Sequence, residues 1–365
     1  MKIIKPDYEK GLLNIMSSIV SHYGCDSEYI THPVVDDILE RKYDNVFLIL
    51  IDGMGSKLIE RYLPEDSFLR THMVFDTTTV YPSTTSAATT SVLSIQPPLV
   101  HSWLGWFMYF KEFEQHRVLF LNEGYYTGEQ FNPNEIHEIL PYETIYEKLD
   151  KVNVKNSRIY PAFAPGGCKT FEEMVSRIKD TAIKESNSFV YCYWDEFDSL
   201  MHRYGVDSSE AKEEILKINH ELEEMCKSLS DNQLVMIIAD HGQVDTEIID
   251  LLKYPDIMDC LEIYPAIETR TVAFYVKDDM HIKFVELFDK HFGDKFKLFK
   301  SEEFVNENYL GIGKRHERLS DFIGDYIACS IDKYNLICGE AHFVGQHAGL
   351  TEDEMMIPFI VYPKQ

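Results

Sequence analysis

The stretch that decides the fold is Asn45-Val46-Phe47-Leu48-Ile49-Leu50-Ile51-Asp52-Gly53-Met54-Gly55. Seven residues with no charge end abruptly in an aspartate and two glycines. Continuous rather than alternating apolarity predicts a strand covered on both faces, the habit of a parallel sheet flanked by helices. The Asp-Gly that follows is where such a strand would turn into a loop.

Working outward, the same signature recurs at Val118–Leu121, Ser188–Tyr193, Leu234–Ala239 and Ile357–Tyr362. Between these runs lie helical patterns. The clearest is Ser208–Leu229, where Ile215, Ile218, Leu222, Met225 and Leu229 fall on one face and Asp207 or Ser208 can cap the start. Strands alternating with helices define an α/β sandwich around a mostly parallel central sheet. Residues 262–340 read differently: a strand at Thr271–Val276, a helix at Met280–Phe292, then the loop Tyr309–His316. They are expected to form a small inserted α+β cap, since the chain returns to a sheet-like strand only at Ile357.

The chain has 365 residues and a formal net charge of −26. That balance disfavours gripping a nucleic-acid polymer or docking on an anionic membrane surface. It leaves room for a small phosphate ester where bound cations reverse the local field. The first ten residues carry no long apolar run, so no signal peptide is expected. The seven cysteines are scattered without a Cys-x-x-Cys pair, which suits reduced thiols in a cytoplasmic protein.

Acids and imidazoles recur where the predicted strands end, the edge at which open α/β sheets bind ligands. Asp52 follows the first strand. Asp198 and His202 follow Ser188–Tyr193 at a spacing that puts both on one face of a helical turn. Asp240-His241-Gly242 follows Leu234–Ala239, and Gly345-Gln346-His347 precedes the last strand. Three carboxylates and three imidazoles form a mixed oxygen and nitrogen set that suits a divalent metal, zinc above all. Tyr81-Pro82-Ser83-Thr84-Thr85 then leads into a helix of small residues. A hydroxyl there meets unpaired N–H groups and the positive helix end, which favour an alkoxide and a bound phosphate. Ser83, Thr84 and Thr85 are the candidates.

In this order the motifs resemble the alkaline phosphatase superfamily, most closely its nucleotide pyrophosphatase/phosphodiesterase branch. Asp52, Thr85, Pro98-Leu99-Val100-His101, Asp198-Ser199-Leu200-Met201-His202-Arg203-Tyr204-Gly205, Asp240-His241-Gly242 and Gly345-Gln346-His347 follow the branch's sequence of motifs. The resemblance runs from about residue 45 to the C-terminus. It implies residues 1–261 and 341–365 as an alkaline phosphatase-like core, with 262–340 inserted. It also implies two divalent ions, zinc or alternatively manganese. One would be held by Asp198, His202 and His347, the other by Asp52, Asp240, His241 and the oxygen of Thr85. The register of the branch places Thr85 as nucleophile and Thr84 as the helix cap. The chain departs from the branch after His101, where Ser102–Phe107 contains no asparagine, and no arginine stands beside the Thr85 loop.

The function expected is metal-dependent hydrolysis of a phosphodiester or pyrophosphate bond in a small molecule through a phospho-threonine. A phosphomonoesterase or phosphonate hydrolase on the same site is the enzymatic alternative, and a metal-binding ligand sensor the non-enzymatic one. Trp103, Trp106, Phe107 and Tyr109 are candidates to stack a leaving group.

Overall fold

A computed structural model describes residues 1–132, 134–340 and 342–363; the expected boundary at 341 lies outside them. A six-stranded sheet forms the centre, in the order Met73–Thr78, Met356–Tyr362, Gln233–Ile238, Asn45–Ile51, Ser188–Trp194, Lys155–Ile159. Asn45–Ile51 pairs in parallel with both its neighbours, and Lys155–Ile159 extends the parallel run. Met356–Tyr362 runs antiparallel to the strands on either side of it. The sheet is thus mostly parallel, as expected.

The apolar runs are buried end to end: all seven residues of Asn45–Ile51 and of Ser188–Trp194 are buried. Leu12–His22 and Ser209–Lys227 pack their apolar stripes into the same core as these strands. In the second of these helices Ile215, Ile218, Leu222 and Met225 are buried, and the Ser208 hydroxyl accepts from the Ala211 N–H at 3.1 Å. Among the described residues, no helix is long and apolar enough to cross a membrane.

A second sheet of seven strands stands beside the first, in the order Phe296–Lys300, Tyr326–Ser330, Thr271–Val276, Leu261–Ile267, Phe107–Phe110, Gln115–Val118, Glu123–Gly124. Neighbouring strands are antiparallel throughout. Four strands come from the stretch read as a cap, and three come from 107–124, far upstream. The helix expected at Met280–Phe292 spans His281–Phe292, and Phe284, Phe288 and Phe292 build the core beneath one region of this sheet.

One expected strand is corrected. Val118–Leu121 reads as a buried strand of the parallel sheet, but the strand is Gln115–Val118 and belongs to the antiparallel one. Phe120 and Leu121 lie beyond its end and are exposed. Four apolar residues are too few for periodicity to tell a strand from a turn that carries them.

Candidate active site

Strand direction assembles the site. Asn45–Ile51 aligns Ile51 with Trp194 on one side and Leu50 with Ile238 on the other, so three parallel strands end together. Asp52, the helix Glu196–Tyr204 with Asp198 and His202, and Asp240-His241 follow those ends directly. Met356–Tyr362 is antiparallel to them, so its start, preceded by the His347 loop, lies at the same edge. Met73–Thr78 also ends there and leads through Val80–Thr84 into the helix Thr85–Ser94. Gly53 allows the close approach: its φ is +71°, and a Cβ there would lie 2.9 Å from Met201 and 3.1 Å from Asp198.

The Thr85 hydroxyl faces His241 Nε2 at 3.1 Å and Asp52 Oδ2 at 3.4 Å. His241 Nδ1 sits 3.0 Å from the Gly242 carbonyl, so Nδ1 carries the proton and Nε2 is left as a lone pair aimed into the site. His202 is held likewise by Nδ1 against the Gly345 carbonyl at 2.8 Å, with Nε2 3.1 Å from Asp198 Oδ2. The rings of His241 and His347 stack with centroids 3.8 Å apart. Ligand atoms of Asp52, Asp240 and His241 lie within 4.8 Å of one another, as do those of Asp198, His241 and His347. His241 therefore stands between two groups, while His202 reaches the second through Asp198. All six expected ligands and Thr85 converge on one place.

Several polar atoms here have no partner. Asp52 Oδ2 accepts from the Tyr193 hydroxyl, and Asp240 Oδ1 accepts from the N–H groups of Gly53 and His241. The other oxygens, Asp52 Oδ1 and Asp240 Oδ2, are buried without a hydrogen bond, each 3.4 Å from His241 Nε2, and His347 Nδ1 is buried without one too. Buried groups are rarely left so. Burial and the neighbouring Asp240 push the Asp52 carboxyl well above the usual range, and burial raises Asp240 to about 7. Burial also drives His347 well below the ordinary imidazole range, with His241 adding to it. Burial works against the Asp198–His202 pair as well. There mutual attraction wins, holding Asp198 low and raising His202 to about 9. A divalent cation would satisfy the unpaired oxygens and the imidazole lone pairs together, so the donor set fits a metal.

Other expectations come apart. Thr84 stands at the N-cap position of its helix, but its side chain does not cap. Its hydroxyl donates to Glu268 Oε1 at 2.6 Å instead. The arginines nearest the Thr85 loop in sequence are engaged elsewhere: Arg70 donates to the carbonyls of Glu60 and Leu63, and Arg117 pairs with Glu135 between the rings of Phe113 and Phe131. Trp103 is buried with its indole N–H on the Leu140 carbonyl, Phe107 stacks on Tyr125, and Tyr109 meets Tyr275 edge-on. Trp106 is the one of the four aromatics that is exposed. His101 is buried between Ser91 and the Trp103 N–H, and burial lowers it to about 3, so it stays neutral.

Sequence reading missed Tyr193, Gln243, Glu268 and the Arg270–Glu354 pair. Gln243 donates to Asp198 Oδ1 at 2.7 Å and adjoins Asp240-His241-Gly242, so adjacency to the motif was the available signal. Arg270 and Glu354 are fully buried and joined at 2.7 and 2.8 Å. The same carboxylate accepts from the Gly349 N–H and the Thr351 hydroxyl, and the Glu354 carbonyl accepts from the Gly242 N–H. This pair braces the His347 loop against the Asp-His-Gly turn.

A hydroxyl opening a helix over the carboxyl edge of a mostly parallel sheet, ringed by buried carboxylates and imidazoles, is the arrangement of an alkaline phosphatase-like hydrolase. The sequence profile of the type I phosphodiesterase / nucleotide pyrophosphatase family matches residues 46–325. The chain belongs to that family and is an enzyme of its metal-dependent, hydrolytic kind. Among solved structures it is similar to human ectonucleotide pyrophosphatase / phosphodiesterase 5, with a TM-score of 0.66 and 17% identity over 87% of each chain. An inactive form of the murine protein in complex with AMP gives 0.64 and 15%, again over 87% of each. Phosphonoacetate hydrolase from Sinorhizobium meliloti 1021, in complex with phosphonoformate, gives 0.63 and 15% over 89% of this chain and 92% of that one. A search of the curated proteins returned no match.

Proposed function

We propose that this enzyme hydrolyses a phosphodiester or pyrophosphate bond in a small molecule through a phospho-threonine on Thr85, at a site holding two zinc ions. The observation that carries this reading is the Thr85 hydroxyl, at a helix start, facing both His241 Nε2 and Asp52 beside unpaired carboxylate oxygens. Asp198, His202 and His347 would hold one ion, and Asp52, Asp240, His241 and the Thr85 oxygen the other, with manganese as the alternative metal. Such ions, when bound, polarise phosphoryl oxygens and make a hydroxyl or water more acidic.

The chain's own residues supply the rest. Thr85 Oγ1, its proton released to solvent, attacks phosphorus; the bond to the leaving-group oxygen breaks, and that oxygen takes up a proton from solvent. Water then attacks the phosphorus of the phospho-threonine. The bond to Oγ1 breaks, a phosphate monoester departs, and the threonine hydroxyl is restored. Gln243 and Tyr193 hold Asp198 and Asp52 in place through the hydrogen bonds described above. A diester is favoured because Arg70 and Arg117 are engaged elsewhere, and a dianionic monoester gains most from a guanidinium clamp.

The test is a screen of zinc-loaded protein against para-nitrophenyl mono- and diesters, nucleotide pyrophosphates and phosphonates, with acid-quench mass spectrometry of the enzyme. Label on Thr85 is expected. Label on Ser83 or Thr84 would overturn the nucleophile. A kcat/KM for monoesters above that for every diester would overturn the substrate class.

A further inference from the structure

Three helices of this chain open on a Thr or Ser whose hydroxyl caps them: Thr144 accepts from the Glu147 N–H, Thr170 from Glu173 and Ser208 from Ala211. Thr84 has the same extended backbone, φ −140° and ψ 150°, directly before the helix Thr85–Ser94. Its backbone is set for capping, yet its hydroxyl is turned away to Glu268. Among the described residues the N–H groups of Thr85, Ser86 and Ala87 consequently have no protein acceptor, the first satisfied amide being Ala88 on the Thr84 carbonyl.

Glu268 is placed there at a cost. It sits in the turn between Leu261–Ile267 and Thr271–Val276 of the second sheet, and Ile267 before it takes φ +85°. That conformation is a genuine outlier for a β-branched residue, and such strain clusters where function requires it. Gly105 packs so closely on this turn that a Cβ would fall 2.3 Å from the Ile267 carbonyl. The result is one buried carboxylate oxygen, Oε1, that accepts from the Thr84 hydroxyl and from the Trp106 N–H, each at 2.6 Å.

We propose that Glu268 is a positioning residue for phosphoryl binding. By holding the Thr84 hydroxyl away from the helix, it keeps the amides of Thr85, Ser86 and Ala87 open to the non-bridging oxygens of the substrate. Without Glu268, Thr84 is free to rotate and cap its own helix, filling with a hydroxyl the place a phosphoryl oxygen needs. The second sheet thereby acts on the chemistry at the first without touching substrate. The inference deepens the phosphoryl-transfer reading and rests on it.

The experiment uses metal-loaded, full-length protein. It measures kcat and KM on bis-para-nitrophenyl phosphate, and inhibition by inorganic phosphate, which reads the amides without any step on Thr85. Glu268→Leu should lower kcat/KM by about 30-fold or more and weaken phosphate inhibition by roughly tenfold, the scale of losing oriented backbone donors. Glu268→Gln keeps an acceptor oxygen and should restore most of both. The decisive variant is Glu268→Leu combined with Thr84→Val, which has no hydroxyl to cap with and should regain about tenfold in phosphate affinity over Glu268→Leu alone. Thr84→Val by itself loses the same hydrogen bond but leaves the amides open, so phosphate inhibition should persist. If the double variant is no better than Glu268→Leu, or Thr84→Val loses phosphate as Glu268→Leu does, Glu268 is a structural brace and the proposal fails. Should Glu268→Leu not fold, Glu268→Gln and Thr84→Val still decide it. Absence of label on Thr85 in the wild-type enzyme would instead sink the nucleophile assignment, whatever phosphate inhibition shows.

Discussion

Two regions of this molecule bury charge, and they do it in opposite ways. At the Arg270–Glu354 pair, the hydrogen bonds close around both groups: the guanidinium also reaches the carbonyls of Asp332 and Tyr334, and the carboxylate takes Gly349 and Thr351 besides. At the strand ends, Asp52, Asp240 and His347 each keep an atom unpaired. A closed network rigidifies; an open one waits for a ligand that supplies what is missing. The contrast separates groups that hold the fold from groups that do chemistry, although the Gly242 N–H, bonded to the Glu354 carbonyl, ties the two regions together.

Four experiments test that contrast. The largest effect belongs to the open region. Thr85→Ala should lower turnover by several orders of magnitude while leaving thermal stability and most of the bound metal unchanged, and Thr85→Ser should keep partial activity. Normal turnover in Thr85→Ala would mean that the open region is not the catalytic one.

The closed region should show its effect in stability. Arg270→Met leaves Glu354 buried and uncompensated and should cost about 3–5 kcal/mol by denaturant titration. Adding Glu354→Met should recover much of that, because the stranded charge is gone. A loss below about 1 kcal/mol would show that the pair is not closed in solution.

Metal should convert the open region into a closed one. Elemental analysis of the purified enzyme should find close to two ions per chain. Asp198→Ala and Asp240→Ala should each empty one site. Saturating zinc at a hundredfold excess over its dissociation constant should add about 2.7 kcal/mol per site. The pH dependence has a definite sign in chelator-stripped protein. Asp240, raised to about 7, favours the folded state while protonated. That contribution is fully present below the ordinary carboxylate range and is lost as pH rises through about 7. Melting temperature should therefore fall between pH 5 and pH 8 without metal, and Asp240→Asn should flatten the slope.

The smallest effect lies outside both regions. Ser208→Ala removes a working cap and should cost roughly 1 kcal/mol. At Thr84 the hydroxyl binds Glu268 and not the helix, so its removal costs a buried hydrogen bond instead of a cap. A Ser208→Ala cost near zero would show that the Ser208 hydroxyl does not cap in solution.

The central sheet was readable because its evidence is local. Asn45–Ile51, Ser188–Trp194 and Gln233–Ile238 announce themselves as uninterrupted apolar runs, and acids and imidazoles directly after them fall at one edge once the strands are parallel. Asp52, Asp198, His202, Asp240, His241 and His347 were named on that logic and Thr85 on the register of the resembled family, and the structure brings them together. The second sheet was only half readable. Its strand at Thr271–Val276 shows in the sequence, but nothing local announces Leu261–Ile267 or pairs Ile267 with Phe107, some 160 residues earlier.

The sequence alone marks the long apolar runs as buried and shows which polar groups follow them, since an uninterrupted run of strand length reports burial on both faces. What only the tertiary structure decided is the choice among partners. Thr84 has the residue type, the position and the backbone of a cap, and a chain read alone makes it one. Glu268, arriving from another sheet, offers its hydroxyl a buried carboxylate oxygen at 2.6 Å. Local rules lose there because a short hydrogen bond to a carboxyl oxygen shielded from water is stronger than one to an amide at a helix end, and it forms only where the fold puts the two groups together.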